Sequence, residues 1–407
     1  MELLDTNFNK GYILYIHNPG ADLYRSHIAI INNYAAGFLR FGYLPIYISM
    51  ANPNWPNIIF EYLSNNEIKA VVSITGWGTD LKINHSGQEI SLYQHFKKPV
   101  LRICGDYPFS PWVWDKVNDT FEGCFTFHTD QKHPELLSGE VPDDHRHYYV
   151  PTLCQDISYS RVKAKTPRCI RPYPFIYVGG YIDIEEIRQT VYQQFKEWSS
   201  FYDELIEIAL FEYHTPIWSI AKQLCLEKSL PASIRDESYR NMLFYANQYV
   251  RFFRRQTLLK KLAAYPGMFI LAKGRPPGLV FHKDAVVTDT MRIDKVLDLF
   301  YQAKSIVMSL PNFAYGHSER MLNAMHRGCV AISSTNSIID QEFTDGRDYL
   351  KLDPQFGNLD EKIEILNDEA FCDELALNAI SSVEEHHLPD DIIRHIIDTL
   401  KTQSIVL

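Results

Sequence analysis

The chain has 407 residues, room for two or three domains with full cores, and its hydrophobic content (46%), 19 Gly and 21 Pro exclude a collagen-like, low-complexity or largely disordered polymer. With 40 Lys+Arg against 50 Asp+Glu the formal balance is −10, which argues against a dedicated nucleic-acid binder, whose phosphate contacts need a basic face. Seven scattered cysteines without a C-x-x-C pair exclude a disulfide framework and a zinc knuckle, and no apolar run approaches the roughly 18 residues that span a bilayer. The opening Met1-Glu2-Leu3-Leu4-Asp5 lacks the basic and apolar pattern of a secretory leader, so the expected location is the cytoplasm.

From Gly11 onward, short β-branched and aromatic runs alternate with amphipathic stretches, the pattern of βα units around a parallel sheet. Strand Tyr12 to Ile16 is broken by Asn18-Pro19-Gly20, and a helix over Ser26 to Phe41 ends at Gly42. Strand Pro45 to Ser49, a helix from Trp55 to Leu63 and strand Ala70 to Ile74 follow, the last stopping at Gly76-Trp77-Gly78. A helix near Glu89 to Phe96, strand Val100 to Cys104, a helix near Pro111 to Val117 and strands Gly123 to Phe127 and Tyr148 to Val150 complete an N-terminal domain over residues 1–156. Residues 157–174 hold Arg161, Lys163, Lys165, Arg168 and Arg171 with three prolines and no acid, the composition of an exposed linker.

The second domain, 175–388, starts with strand Phe175 to Val178 running into Gly179-Gly180, followed by a helical insertion over about 184–265. The α/β rhythm resumes with strands Met268 to Ala272, Ala285 to Val287 and Lys304 to Leu310, a helix from Ser318 to Arg327 and strand Cys329 to Ser333. A last helix in 389–407, with Asp390 as a candidate cap, carries Ile392, Ile393, Ile396, Ile397 and Leu400 on one face. Doubly wound sheets bind ligands beyond the carboxyl ends of their strands, so candidate site residues are sought there.

The most informative stretch is Pro311-Asn312-Phe313-Ala314-Tyr315-Gly316-His317-Ser318-Glu319 and the helix it opens. Ser318 can cap that helix, Glu319 sits in its first turn, and Gly328 ends it. A helix N-terminus opening onto a Gly-containing loop at a strand end is a ready anion site, because its free N–H groups point outward. A phosphate docked at Gly316 to Glu319 is the direct reading.

The run G-H-S-E-R-M-L-N-A-M-H-R-G-C-V-A-I-S, with Glu342-Phe343 and Asp345-Gly346-Arg347 after it, resembles the donor-domain signature of GT-B glycosyltransferases, the CgeB-like group and the group 1 C-terminal domain in particular. In looser form the resemblance extends over most of residues 175–385. It implies two Rossmann-like domains facing a central cleft, with the last helix crossing back to the first domain, and a nucleotide-sugar co-substrate, UDP- or GDP-linked, with no bound cofactor. By resemblance Gly316, His317 and Ser318 face the donor diphosphate and Glu319 holds a ribose or sugar hydroxyl. Where the retaining pattern has two acids eight positions apart, this chain has Tyr315 and Asn323, which join the donor-binding candidates and leave Glu319 as the acid of interest. Gly179 and Gly180 at the first strand end, with Lys273 and Arg275 flanking Gly274, complete that set; cations there would neutralise a leaving diphosphate without a tightly held metal.

On the N-terminal side a general base is sought at strand ends: His17 with Asn18, Asp80, Asp106, and His128 with Asp130. Asp106 and His17 lead as catalytic candidates, although Asp and Asn also serve turns at such places. Asn18, Trp77 and Tyr107 are assigned to the acceptor side, with Trp112 a further aromatic that could stack on a sugar. In Phe244 to Leu262, aromatic residues interleave with Arg251, Arg254, Arg255, Lys260 and Lys261, which reads either as a helix resting on an anionic membrane or as one packed on the sheet with a solvated basic face. The expected function is sugar transfer from a nucleotide-sugar to a hydroxyl of a glycan, a lipid-linked saccharide or a protein. A nucleotide-sugar epimerase or hydrolase and a non-catalytic carbohydrate- or nucleotide-binding protein are the alternatives.

Overall fold

A computed structural model describes residues 10–142, 146–155, 167–289, 291–310 and 312–407. The chain divides into two compact units, Met1–Tyr159 with His386–Leu407, and Ser160–Glu385. Residues 157–166 of the expected linker lie outside the described residues. Its remainder is exposed at Pro167, Cys169, Ile170, Pro172 and Pro174 but is not a free linker: Arg168 and Arg171 are buried, and Arg171 donates to the carbonyls of Ala303 (2.7 Å), Gly328 (3.1 Å) and Arg327 (2.9 Å), which ties this stretch to the second unit.

The first unit runs β1 (Tyr12–His17), α1 (Ser26–Arg40), β2 (Leu44–Ser49), α2 (Trp55–Leu63), β3 (Ile68–Ile74), β4 (Lys82–His85), β5 (Gln88–Ser91), α3 (Leu92–His95), β6 (Val100–Cys104), α4 (Pro111–Asn118), β7 (Cys124–His128), α5 (His133–Leu137) and β8 (His147–Tyr149). Six parallel strands form its sheet in the order β2-β1-β3-β6-β7-β8, so the order reverses between β1 and β3. The helix expected near Glu89 to Phe96 is instead the antiparallel hairpin β4–β5 with only a single turn of helix after it. Ser86 and Gly87 both adopt positive φ (54° and 84°), the geometry of a tight hairpin turn, and Ser91 caps α3 by accepting from Tyr93 N–H at 3.3 Å.

One face of this sheet is covered by α1 and by the C-terminal helix α15 (Pro389–Thr402), whose Ile392, Ile393, Ile396 and Leu400 join Ile31, Tyr34, Ala35 and Phe38 in one core. A Cβ on Gly37 would stand 2.5 Å from Ile393 Cγ1 and 2.8 Å from the Pro389 carbonyl, so the two helices meet this closely only because position 37 has no side chain. Asp390 does not cap α15, since Leu388 occupies the cap and Asp390 pairs with Arg40 on α1. On the other face Ile59 and Leu63 of α2 and Leu92 and Tyr93 of α3 pack against Leu14, Ile16 and Val71.

The second unit runs β9 (Tyr173–Gly180), α6 (Ile184–Gln194), α7 (Ser199–Ala209), α8 (Ile217–Glu227), α9 (Glu237–Leu262), β10 (Phe269–Lys273), β11 (Val286–Thr288), α10 (Ile293–Phe300), β12 (Ala303–Met308), α11 (Glu319–His326), β13 (Val330–Ser333), α12 (Ser337–Glu342), β14 (Leu350–Lys351), α13 (Leu359–Ile365) and α14 (Glu369–His386). Its six parallel strands take the order β11-β10-β9-β12-β13-β14, which places the reversal between β9 and β12. Gly179 and Gly180 are the last residues of β9 rather than a loop beyond it. Leu258, Leu259 and Leu262 of α9 pack on this sheet with Ile270, Val307 and Ile332.

The basic stretch 244–262 belongs to α9, which packs on the sheet; Lys260 and Lys261 are exposed, whereas two of its arginines face inward. Arg254 and Arg255 are 4% and 6% exposed, and Arg254 donates to the carbonyls of Ala209, Glu212 and Leu210 at 2.7, 2.7 and 3.1 Å. Among the described residues no helix is long and apolar enough to cross a membrane.

Candidate functional site

In the second unit the strand order reverses between the paired strands β9 and β12, and the loop after β12 leads into α11. Ser318 occupies the cap of α11 with extended backbone (φ −88°, ψ 117°), but its side chain makes no capping bond. The loop is held from behind by Asn336, whose Nδ2 donates to the Phe313 and Gly316 carbonyls at 2.6 and 2.9 Å. Buried His317 places Nε2 2.8 Å from Glu342 Oε2 and meets the Phe343 ring edge-on at 6.1 Å, so it anchors the loop to α12. Tyr315 is part-buried beside it. Asn323, one turn into α11, is buried and its Oδ1 accepts from Arg327 at 3.2 Å, which uses it as a tie within the helix.

The open end of α11 carries an unusual charge arrangement. Burial pushes the Glu319 carboxyl up to about 7, with neighbouring Arg320 pulling the other way. Arg320 donates to the Val178 carbonyl of β9, and burial followed by repulsion from Arg251 lowers its guanidinium to about 10. Arg255 is held far below the ordinary arginine range, first by burial and then by Arg251 and Arg320, while the buried Tyr177 hydroxyl opposes. Three guanidinium groups thus converge at the carboxyl end of β9 against one carboxyl group. A Cβ on Gly179 would stand 2.6 Å from the Tyr177 hydroxyl, whereas one on Gly180 would meet open space, so the strand end is cleared beside the cluster. Such a concentration of cations beside a helix N-terminus attracts negative charge.

Lys273 and Arg275 stand one strand away at the end of β10. Lys273 is exposed, and Arg275 approaches Asp289 at 3.8 Å with both side chains largely in solvent, so neither joins the cluster. The sequence reading missed Arg251, Arg255 and Arg320 as site residues, although the four-residue spacing of the first two puts them on one face of a helix.

In the first unit the sheet reversal falls at the end of β1, where His17 is the last strand residue. Its Nε2 lies 2.9 Å from Asp22 Oδ2. Asp22, buried, also accepts from the His27 and Ile28 N–H groups at 3.0 and 2.9 Å, opening α1. Burial acts to raise its carboxyl, but the Ile28 and His27 N–H donors and His17 outweigh it and hold it below the usual carboxylate range. An ionised Asp22 accepting from Nε2–H leaves His17 Nδ1 as the lone pair, the tautomer a general base requires.

The structure does not pair His17 with Asp106. Asp106 lies beyond β6, two strands over in the sheet, and accepts from Trp112 Nε1 at 3.1 Å. Asn18 accepts from Gly20 N–H at 3.0 Å and so serves its turn. Tyr107 is 5% exposed and stacks on Phe109 at 4.7 Å, which makes it core rather than an acceptor platform; Trp77 is part-buried on the loop after β3. Asp80 is neutralised by Lys116 at 2.7 Å, and buried His128 sits 3.0 Å from His147, its ring driven well below the ordinary histidine range by burial.

Comparison with protein-family models and with curated proteins finds no match. Among solved structures, the chain is similar to an alpha-glucosyltransferase in complex with UDP-glucose and DNA containing an abasic site, at 10% identity and a TM-score of 0.53, covering 97% of this chain and 100% of that one. It is also similar to Anabaena HepE in complex with UDP-glucose, at 9% identity and a TM-score of 0.51, covering 96% and 100%. At such identities the likeness establishes architecture: the chain has the GT-B fold, built of two Rossmann-like units.

Proposed function

We propose that the chain is a glycosyltransferase that moves a sugar from a nucleotide-sugar donor to an acceptor hydroxyl. The observation that carries this reading is the convergence of Arg251, Arg255 and Arg320 at the end of β9, beside the N-terminus of α11 and at the reversal of a doubly wound sheet. A nucleoside diphosphate supplies the two phosphates that three crowded guanidinium groups need, and the same cations stabilise it as it leaves. Glu319, protonated about half the time near neutral pH, hydrogen-bonds a ribose or sugar hydroxyl, and the His317–Glu342 contact fixes the loop. That both solved relatives carry UDP-glucose makes a UDP-sugar the first donor to try.

Within the first unit, His17 Nδ1 is the candidate base for the proton of an acceptor hydroxyl, with Asp22 holding the ring through Nε2. The arginine cluster supplies the charge stabilisation that a divalent metal provides elsewhere.

The test is a thermal-shift panel of UDP-, GDP-, CMP- and dTDP-sugars with and without EDTA, run on wild type, Arg255→Met and Arg320→Met. One nucleotide class should raise the wild-type midpoint regardless of EDTA, because a ligand that binds only the folded state stabilises it by mass action. Each arginine variant should weaken that donor by about 30-fold or more, the scale of a lost buried charge-assisted contact of about 2 kcal/mol. Wild-type donor affinity in both variants refutes the diphosphate assignment, and no shift with any donor refutes the transferase reading.

A further inference from the structure

We infer that the first unit holds a further ligand site, for an organic phosphate, in a cationic cavity at the amino ends of β6, β7 and β8. The site lies at the opposite end of the parallel sheet from His17 and Asp106 and stands independently of the transferase reading.

The cavity measures about 660 Å³, a volume ordinary for small-molecule sites. Its walls are the turn after α3, the segments that lead into the three neighbouring strands β6, β7 and β8, and the tail after α15. The turn is fixed by its own backbone: Lys97 N–H donates to the Gln94 carbonyl and Lys98 N–H to the Tyr93 carbonyl, both at 3.0 Å. It therefore delivers two consecutive lysines to the rim. Arg146, just before β8, is held in place by donation from Nη1 to the Phe121 carbonyl at 2.9 Å. On the remaining side Phe125 of β7 and Ile405 of the tail belong to the core beneath α15 and offer an apolar wall.

Three cations thus line this cavity against one acid, Glu122, in a chain whose overall balance is −10. Among the described residues no carboxylate pairs with Lys97 or Lys98. Lys98 is part-buried and its Nζ donates to the Ile68 carbonyl at 2.9 Å; burial, followed by repulsion from Lys69, pushes its ammonium below the ordinary lysine range. A partly desolvated ammonium beside a second one, with no counter-ion, favours a bound anion. A phosphate monoester brings nearly two charges and three acceptor oxygens to two ammonium groups and a guanidinium, whereas a carboxylate brings one charge and two oxygens. The volume and the apolar wall suit a carbon body behind that phosphate.

The experiment titrates phenyl phosphate, phenol and inorganic phosphate into wild type, Lys97→Met, Lys98→Met and Arg255→Met. Binding is followed through isoleucine methyl NMR signals, with Ile405 assigned from Ile405→Val. Phenyl phosphate should move the Ile405 signals and bind about tenfold or more tightly than phenol or inorganic phosphate. Each lysine variant should weaken it by about tenfold or more, whereas Arg255→Met, in the second unit, should leave it unchanged. Lys97 is exposed, so its variant keeps the fold and decides the matter should Lys98→Met fail to fold. An Ile405 signal that phenyl phosphate does not move, wild-type affinity in Lys97→Met, or equal binding of phenol or inorganic phosphate overturns the inference. So does loss of binding in Arg255→Met, which would put the ligand at the arginine cluster instead.

Discussion

Glu319→Gln gives the most direct physical test of the site's electrostatics. In the native protein burial raises the carboxyl from an ordinary 4.5 to about 7, so the folded state keeps a proton that the unfolded chain has already lost between those pH values. The sign follows: the group costs nothing below its unfolded pKa, the penalty grows as pH rises through the window, and it is complete above the folded pKa. At about 1.36 kcal/mol per pKa unit, ionised Glu319 destabilises the native protein by at most about 3 kcal/mol. Gln keeps the shape and a hydrogen-bonding oxygen but cannot ionise. The variant should therefore match wild type near pH 4 and exceed it progressively up to about pH 8, by at most about 6–12 °C if each kcal/mol moves the midpoint by 2–4 °C. Scanning calorimetry of both proteins at half-unit pH steps measures the gap. A gap that is constant with pH, or that shrinks as pH rises, refutes the buried, proton-holding carboxyl.

Three other outcomes follow from the same geometry. A diphosphate beside Glu319 raises that carboxyl further, so binding of UDP should take up a proton and weaken as pH rises above 7; titration calorimetry in buffers of different ionisation enthalpy reads the proton, and Glu319→Gln should remove it. Asp22→Asn offers one acceptor oxygen where the carboxylate uses two, so it keeps the bond from only one of the His27 and Ile28 N–H groups and no longer holds the imidazolium or fixes its tautomer; kcat should fall by about 100-fold or more with donor affinity unchanged, and unaltered kcat would remove His17 as the base. Gly179→Ala forces the Tyr177 hydroxyl to move beside the arginine cluster and should weaken donor binding, while Gly180→Ala, which meets open space, should leave it intact; equal donor affinities in the two variants would count against a close approach at Gly179.

Much of the architecture was legible because parallel strands buried on both faces are written as continuous apolar runs, and helix ends are written as caps and glycines. Strands β1, β3, β6, β9 and β12 and helices α1, α2 and α11 all announce themselves this way. The hairpin β4–β5 escaped because its alternation is weak and its register depends on the positive φ of Ser86 and Gly87, which a helical reading of Glu89 to Phe96 passes over. The loop at Gly316 to Glu319 leading into α11 was legible as well, since a glycine-containing loop before a helix is a local pattern.

What surrounds that loop was not local. Arg251 and Arg255 come within electrostatic range of Arg320 because α9 packs on the same sheet, and no spacing in the sequence distinguishes an arginine facing water from one facing another arginine. His17 was visible at a strand end, but the carboxylate that orients it is decided by a turn of five residues, which brings Asp22 back beneath the ring while Asp106 is carried two strands away. Tyr107, an acceptor platform on paper, became core once Phe109 folded against it. The sequence by itself determined which segments form most of the strands and helices and where the loop before α11 lies, because those depend on neighbours along the chain. The tertiary structure decided which charges meet, because pairing across strands and helices brings together residues separated by tens of positions, and only burial sets how strongly they act on one another.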